Sequence, residues 1–146
     1  GTRVSDGDLV VQVDAVRLAD EVTLGSWTGT TTGVWLVVDV QLATEREPTM
    51  SYAELFVGDR RWRTSDRPSG GTMQATQAAP GLPQAGSFVF EIPAEVVDDP
   101  AGGSAVLRFA TALDTRVREV VELGVDLGDL PHERELVIRR VERVIW

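Results

Sequence analysis

Between residues 33 and 43 the chain places an apolar side chain at every second position. Val34, Leu36, Val38, Val40 and Leu42 point one way, with Trp35, Val37, Asp39 and Gln41 between them. Five repeats of period two cannot lie on one face of a helix, whose period is 3.6, so this segment predicts a strand with a buried face. Composition agrees: 22 Val, 3 Ile and 13 Thr make 38 of 146 residues β-branched, the class best suited to a pleated backbone.

Other segments repeat the pattern more briefly. In 8–18, Leu9, Val11 and Val13 are in phase, then Val16 and Leu18 are one residue out of it, which predicts a β-bulge. Residues 21–24 read as a short edge segment. Residues 44–48 form a polar connector, 53–57 and 60–64 a hairpin about Gly58-Asp59, and 65–71 a surface loop containing Pro68, Ser69, Gly70 and Gly71. Phe88, Phe90 and Ile92 mark a strand at 86–92, followed by one helical turn at 93–99 that Pro100-Ala101-Gly102-Gly103 breaks. Ala105, Leu107 and Phe109 mark the next strand, and Val121, Leu123, Val125 and Leu127 are in phase within 117–127. The tail 133–146 fits two readings. Val137, Ile138, Val141, Val144 and Ile145 have helical spacing, whereas their Val/Ile content favours a strand. Seven to eight short strands, little helix and no internal repeat predict a single all-β domain, an antiparallel immunoglobulin-like β-sandwich with a C-terminal extension that is an extra strand or a short helix.

Charge and composition remove several functions. With 23 acidic residues against 14 basic ones, a net charge of −9 repels phosphate backbones, so nucleic acid is not an expected partner. All 14 basic residues are Arg, with no Lys and no Asn, the usage expected of a GC-rich genome. The absence of Cys removes disulfides, thiol catalysis, Fe–S clusters and Cys-based zinc sites. No apolar run is long enough for a membrane span. Opening on Gly1 without a basic and apolar leader, the chain reads as a processed or truncated piece whose upstream segment supplies membrane anchoring.

The order of segments carries a resemblance. Thr32-Gly33-Val34-Trp35-Leu36-Val37-Val38-Asp39-Val40 leads through a connector ending in Pro48 to Ala53-Glu54-Leu55-Phe56-Val57-Gly58-Asp59. Pro80-Gly81-Leu82-Pro83 then precedes Phe88-Val89-Phe90-Glu91-Ile92-Pro93, with Ala105-Val106-Leu107-Arg108-Phe109 beyond it. This resembles the secreted, telokin-like immunoglobulin-fold family of bacterial extracytoplasmic domains, whose type member is a secreted mycobacterial antigen. The resemblance covers 8–113 and leaves 114–146 as an extension packing on that core. It implies an extracytoplasmic setting, secreted or anchored on the outer face of a bacterial membrane, and names no reaction.

Catalytic signals are sparse. His132 is the lone imidazole, lies in a polar turn and has no Gly-x-Ser-x-Gly partner, so no enzyme activity and no cofactor are expected. The carboxylates Asp6 and Asp8 about Gly7, the pair Asp98 and Asp99, and Asp126 and Asp129 about Gly128 match no calcium-loop spacing. They read as solvated turn residues, and no metal is expected. Binding signals concentrate in Arg60-Arg61-Trp62-Arg63 and Arg67, which join guanidiniums to an indole. In a strand Arg61 and Arg63 share one face while Trp62 turns to the core. Trp27, in the Gly/Thr-rich stretch 25–29 read as a loop, is the other outlier. The expected function is a non-enzymatic interaction module of the cell envelope that binds a protein partner through sheet edges or loops; a small-ligand or glycan-binding sandwich is the alternative. A homo-oligomer through an edge strand or the tail is a further expectation.

Overall fold

The computed structural model describes residues 3–68, 70–74, 76–111 and 120–146. Among them are twelve strands: β1 (Arg3–Asp6), β2 (Leu9–Leu24), β3 (Trp27–Thr44), β4 (Thr49–Met50), β5 (Tyr52–Val57), β6 (Arg60–Arg63), β7 (Gln77–Ala78), β8 (Gln84–Ile92), β9 (Ala105–Ala110), β10 (Val120–Val125), β11 (His132–Val137) and β12 (Glu142–Arg143). Seven of these build the sandwich. Strands β2-β3-β8 form one sheet and β10-β9-β5-β6 the other, all antiparallel. Counted along the chain, the first, second and fifth strands face the third, fourth, sixth and seventh; the constant-type immunoglobulin order sets the fourth beside the first, second and fifth, so this is an immunoglobulin-like sandwich whose fourth strand lies on the other sheet. The other five are β1, β4, β7 and β12, each of four residues or fewer, and the six-residue β11; β11 and β12 lie in the tail.

The main core lies between the sheets. Leu36, Val38, Val40 and Leu42 of β3 and Phe88 and Phe90 of β8 meet Leu55, Leu107 and Phe109 from the opposite sheet. Phe88 and Phe109 pack across it with ring centroids 5.8 Å apart. Each such side chain contributes roughly 1.5–3 kcal/mol by leaving water. The phase slip in β2 is a bulge: Val13 pairs with Val40 and Ala15 with Asp39, so Asp14 is the extra residue.

A second irregularity was not expected and shapes the molecule more. Ala19 pairs with Trp35 but Glu21 with Thr30, so residues 31–34 of β3 stand opposite Asp20 alone. The chain bends there. Trp27 and Trp35, eight residues apart on one strand and about 26 Å apart if it ran straight, lie 6.0 Å apart edge to face. The β2/β3 hairpin tip therefore folds back over the outer face of its own sheet. Val22 and Leu24 close with Trp35, Val37 and Val89 into a second buried cluster, completed by Leu136 and Ile138 of the tail. Both faces of β3 are consequently buried from Val34 to Val38.

Several expectations are corrected by this arrangement. Residues 21–24 are not an edge: they continue β2, flanked by β3 on one side and by β11, running parallel, on the other. Trp27 is the first residue of β3, not part of a loop. After α1 (Ala94–Asp98), residues 100–104 do not simply break the helix but form a 3-10 turn. Leu123 shares the phase of Val121 and Val125, yet is 37% exposed, because it lines an open groove between β10 and β1/β2 with Val4, Val11 and Val13. Val117 and the boundary at residue 113 lie outside the described residues; β10, beyond that boundary, pairs along β9 and belongs to the sandwich proper.

The tail is a strand reading realised on both edges of one sheet. After β11 pairs with β2, the Ile138 N–H donates to the Thr23 carbonyl, the chain crosses to pair β12 with β8, and the Val144 N–H donates to the Pro83 carbonyl. It then turns back: the Trp146 indole N–H donates to Gln41 Oε1 at 2.8 Å, and the Arg3 guanidinium sits 4.3 Å from that ring.

Asp8 is the clearest departure from the solvated-turn reading. It is 5% exposed, and its carboxylate accepts the backbone N–H groups of Glu45, Arg46 and Glu47 at 3.0, 2.5 and 3.0 Å. Burial raises its pKa, but the three N–H donors and the Arg46 guanidinium outweigh this and hold the carboxyl below the ordinary value of 3.8. Because the folded-state value is depressed, the stabilisation is present above 3.8 and is lost as pH falls through the lowered folded-state value. Asp8→Asn is expected to lower Tm at neutral pH by roughly 5 °C. Melts at stepped pH should show the variant and the parent converging in acid; a constant gap down to the lowest pH would mean that the carboxylate's charge is not what holds the 45–47 turn. Of the other turn carboxylates, Asp99 caps the Ala101 N–H and Asp126 the Gly128 N–H, while Asp6 reaches the Val120 N–H.

Candidate functional site

The arginine–tryptophan arm forms β6, and strand alternation divides it. Trp62 opposes Leu55 and turns toward the main core, where it remains half-buried. Arg60, on the same side, lays its guanidinium 4.8 Å from the centre of the indole. Arg61 and Arg63 face the other way, onto the outer surface of the second sheet, where Arg61 comes within 3.9 Å of Glu54.

Trp27 and Arg67 are drawn elsewhere. Trp27 packs on Trp35, and the Arg67 guanidinium covers the same ring at 5.1 Å while donating to the Thr30 carbonyl at 2.8 Å and to Glu91 at 3.1 Å. These contacts fix the folded-back hairpin tip, so both residues serve the second core.

Of the six candidate residues only Trp62 lines a cleft of about 380 Å³, whose other walls include Thr31, Thr32, Gly33, Glu91, Pro93 and Glu95; Arg67 reaches it only through its contact with Glu91. Each wall has a structural origin. The bend in β3 brings Thr31 to Glu91, which accepts its hydroxyl at 2.7 Å, and Thr31 in turn accepts the Gly33 N–H at 3.0 Å. Pro93 ends β8 and starts α1, which sets Glu95 in the exposed first turn. Glu91 is thereby held from one side by Arg67 and Thr31, with Trp62 across from it. The cleft offers an aromatic wall, hydroxyls and carboxylates, a set suited to recognition.

Sequence reasoning pointed to Trp62 but missed Thr31, Thr32, Glu91 and Glu95. No local signal marks them, because Thr31 and Glu91 lie 60 residues apart and meet only through the bend.

His132 opens β11 rather than a turn, and its Nε2 lies 2.8 Å from Asp20 Oδ1 on the exposed surface. Among the described residues no three His, Cys, Asp or Glu side chains converge to hold a metal ion. No family model, curated protein or solved structure matches this chain.

Proposed function

We propose that this chain is a non-enzymatic, extracytoplasmic interaction module of the bacterial cell envelope that holds a protein partner at the Trp62 end of the sandwich. The observation that carries the reading is a half-buried Trp62, stacked under Arg60, standing at the wall of an open cleft ringed by charge. Tryptophan and arginine dominate binding energy where a pocket lets them desolvate on contact, and the acidic and hydroxyl rim supplies direction. The envelope setting rests on the family resemblance.

A second reading is favoured by one feature of the same cleft. Thr31, Thr32, Glu91 and Glu95 opposite an indole match the needs of a sugar ring, whose hydroxyls donate to carboxylates while its C–H face stacks on the aromatic.

Trp62→Ala separates these readings. The variant is expected to keep its strand content and to lose at least about tenfold in capture of a cross-linked envelope protein, read by mass spectrometry beside an Ile145→Ala control that leaves the cleft intact. Saturable calorimetric binding of envelope saccharides, abolished by the same substitution, would replace the protein reading with the glycan one. Equal capture by Trp62→Ala and parent would remove the cleft from the function.

A further inference from the structure

The outer face of the second sheet carries an ordered charge ladder that neither core nor cleft uses. Strand register places Arg63, Glu54, Arg108 and Glu122 side by side across β6, β5, β9 and β10. The next row along the same face is Arg61, Phe56, Val106 and Gly124. Arg63 and Glu122 are exposed at the two ends, Phe56 and Val106 are half-buried between, and a Cβ added at Gly124 would meet nothing within 4 Å.

Glu54 sits inside this row with 7% exposure; its Oε2 has no hydrogen-bond partner and lies 3.9 Å from Arg61 Nη1. The Nε of neighbouring Arg108 is also buried and unpartnered. Both atoms lie beneath the surface, so what a second surface meets on this row is chiefly the exposed Arg63 and Glu122 at its ends.

The sign order of the ladder is plus, minus, plus, minus. A copy turned by a two-fold axis parallel to the strands, lying in the face between β5 and β9, presents the same row reversed. Arg63 then meets Glu122 of the second copy and Glu54 meets its Arg108, four opposed pairs from one symmetry operation. The row beside it is compatible: Phe56 meets Val106, and the stem of Arg61 lies over the bare backbone of Gly124. A two-fold axis along the row would instead set Arg63 on Arg63, like charge on like.

We infer that this face binds a second copy of the chain, forming a symmetric face-to-face dimer through the Arg63–Glu54–Arg108–Glu122 ladder. Four strands about 4.8 Å apart and roughly six residues long give a footprint near 400 Å² per copy, below the 800 Å² typical of stable pairs, so the dimer is weak and reversible. Trp62 points to the opposite face of β6, so this pairing is independent of the cleft reading.

Charge reversal tests it. Sedimentation velocity of the whole chain from about 5 to 500 µM should show a concentration-dependent dimer that weakens in high salt. Arg63→Glu and Glu122→Arg should each raise the dissociation constant by about tenfold or more, and the double variant should restore it toward the parent value. Within one chain the two positions are three strands, about 14 Å, apart, and each substitution sets like charges beside its neighbour, Glu54 or Arg108. Intrachain damage would therefore accumulate in the double variant, and only pairing between copies can rescue it. Trp62→Ala should dimerise as the parent does. A parent that stays monomeric throughout, or a double variant no better than either single one, would overturn the inference.

Discussion

Gly33→Ala is expected to cost about 3 kcal/mol and to lower Tm by roughly 6–12 °C. The reason is not backbone conformation, since Gly33 is absent from the glycines with positive φ. A Cβ at this position would lie 2.0 Å from the Ile92 carbonyl oxygen, 3.0 Å from its carbon and 3.2 Å from Pro93 Cα. All three are backbone atoms at the end of β8, so no side-chain rotation relieves the clash. Only two changes could: opening the bend in β3, which separates Trp27 from Trp35, or displacing Pro93, which starts α1 and shapes the cleft. Gly81 is the internal control. It has φ of +69° with open space about it, so Gly81→Ala carries only the conformational penalty of about 1–2 kcal/mol. Denaturant melts of both variants compare crowding with strain. If Gly33→Ala costs no more than Gly81→Ala, close approach of β3 to β8 is not what the glycine serves.

The sandwich was legible because its signals are local. Alternation in 33–43, aromatics at 88 and 90, the Gly58 turn and the phase slip at Asp14 each specify strand, face or bulge without reference to anything distant. The second core was not legible in that way. Its one sequence trace is that Trp35 and Val37 fill the supposedly outward positions of β3, giving the unbroken apolar run Val34-Trp35-Leu36-Val37-Val38. A run of that kind indicates burial on both faces. What covers the outer face could not be read, because the cover is the strand's own tip and a tail a hundred residues away. Asp8 escaped for the same reason: its partners are the N–H groups of 45–47, and an Asp-Gly-Asp run looks like any turn. For the candidate site, alternation correctly sent Trp62 inward and Arg61 and Arg63 outward. The Thr31–Gly33 wall depends on the bend, and so the meeting of Thr31 with Glu91 beside Trp62 stayed hidden with it.

Because the two cores lie on opposite faces of one sheet, removing a large side chain from each should have different consequences. Trp35→Ala deletes a fully buried indole and is expected to cost about 3–5 kcal/mol. The loss falls on everything that leans on the ring: Trp27 at its edge, the Arg67 guanidinium over its face, and through them the hairpin tip and β11. Phe109→Ala removes a ring of the main core, where both sheets close on each other, at a similar cost. Similar totals should divide differently in hydrogen exchange. In Trp35→Ala the amides of 18–24, 27–30 and 132–138 should lose protection first, while those of β5 and β9 exchange only through global unfolding. In Phe109→Ala protection should fall throughout. A double-mutant cycle adds a second check, since Arg67→Ala should cost markedly less once Trp35 is gone. Uniform loss of protection in both variants, with additive Arg67 and Trp35 effects, would mean that the folded-back tip and the sandwich are one cooperative unit. The distinction then bears on the cleft: its Thr31, Thr32 and Gly33 wall belongs to the tip's bend, while its Trp62 wall belongs to the sandwich. If the tip opens at lower cost than the sandwich unfolds, the cleft is the place where that opening is felt, and a ligand seated between the two walls would stabilise the second core by holding them together.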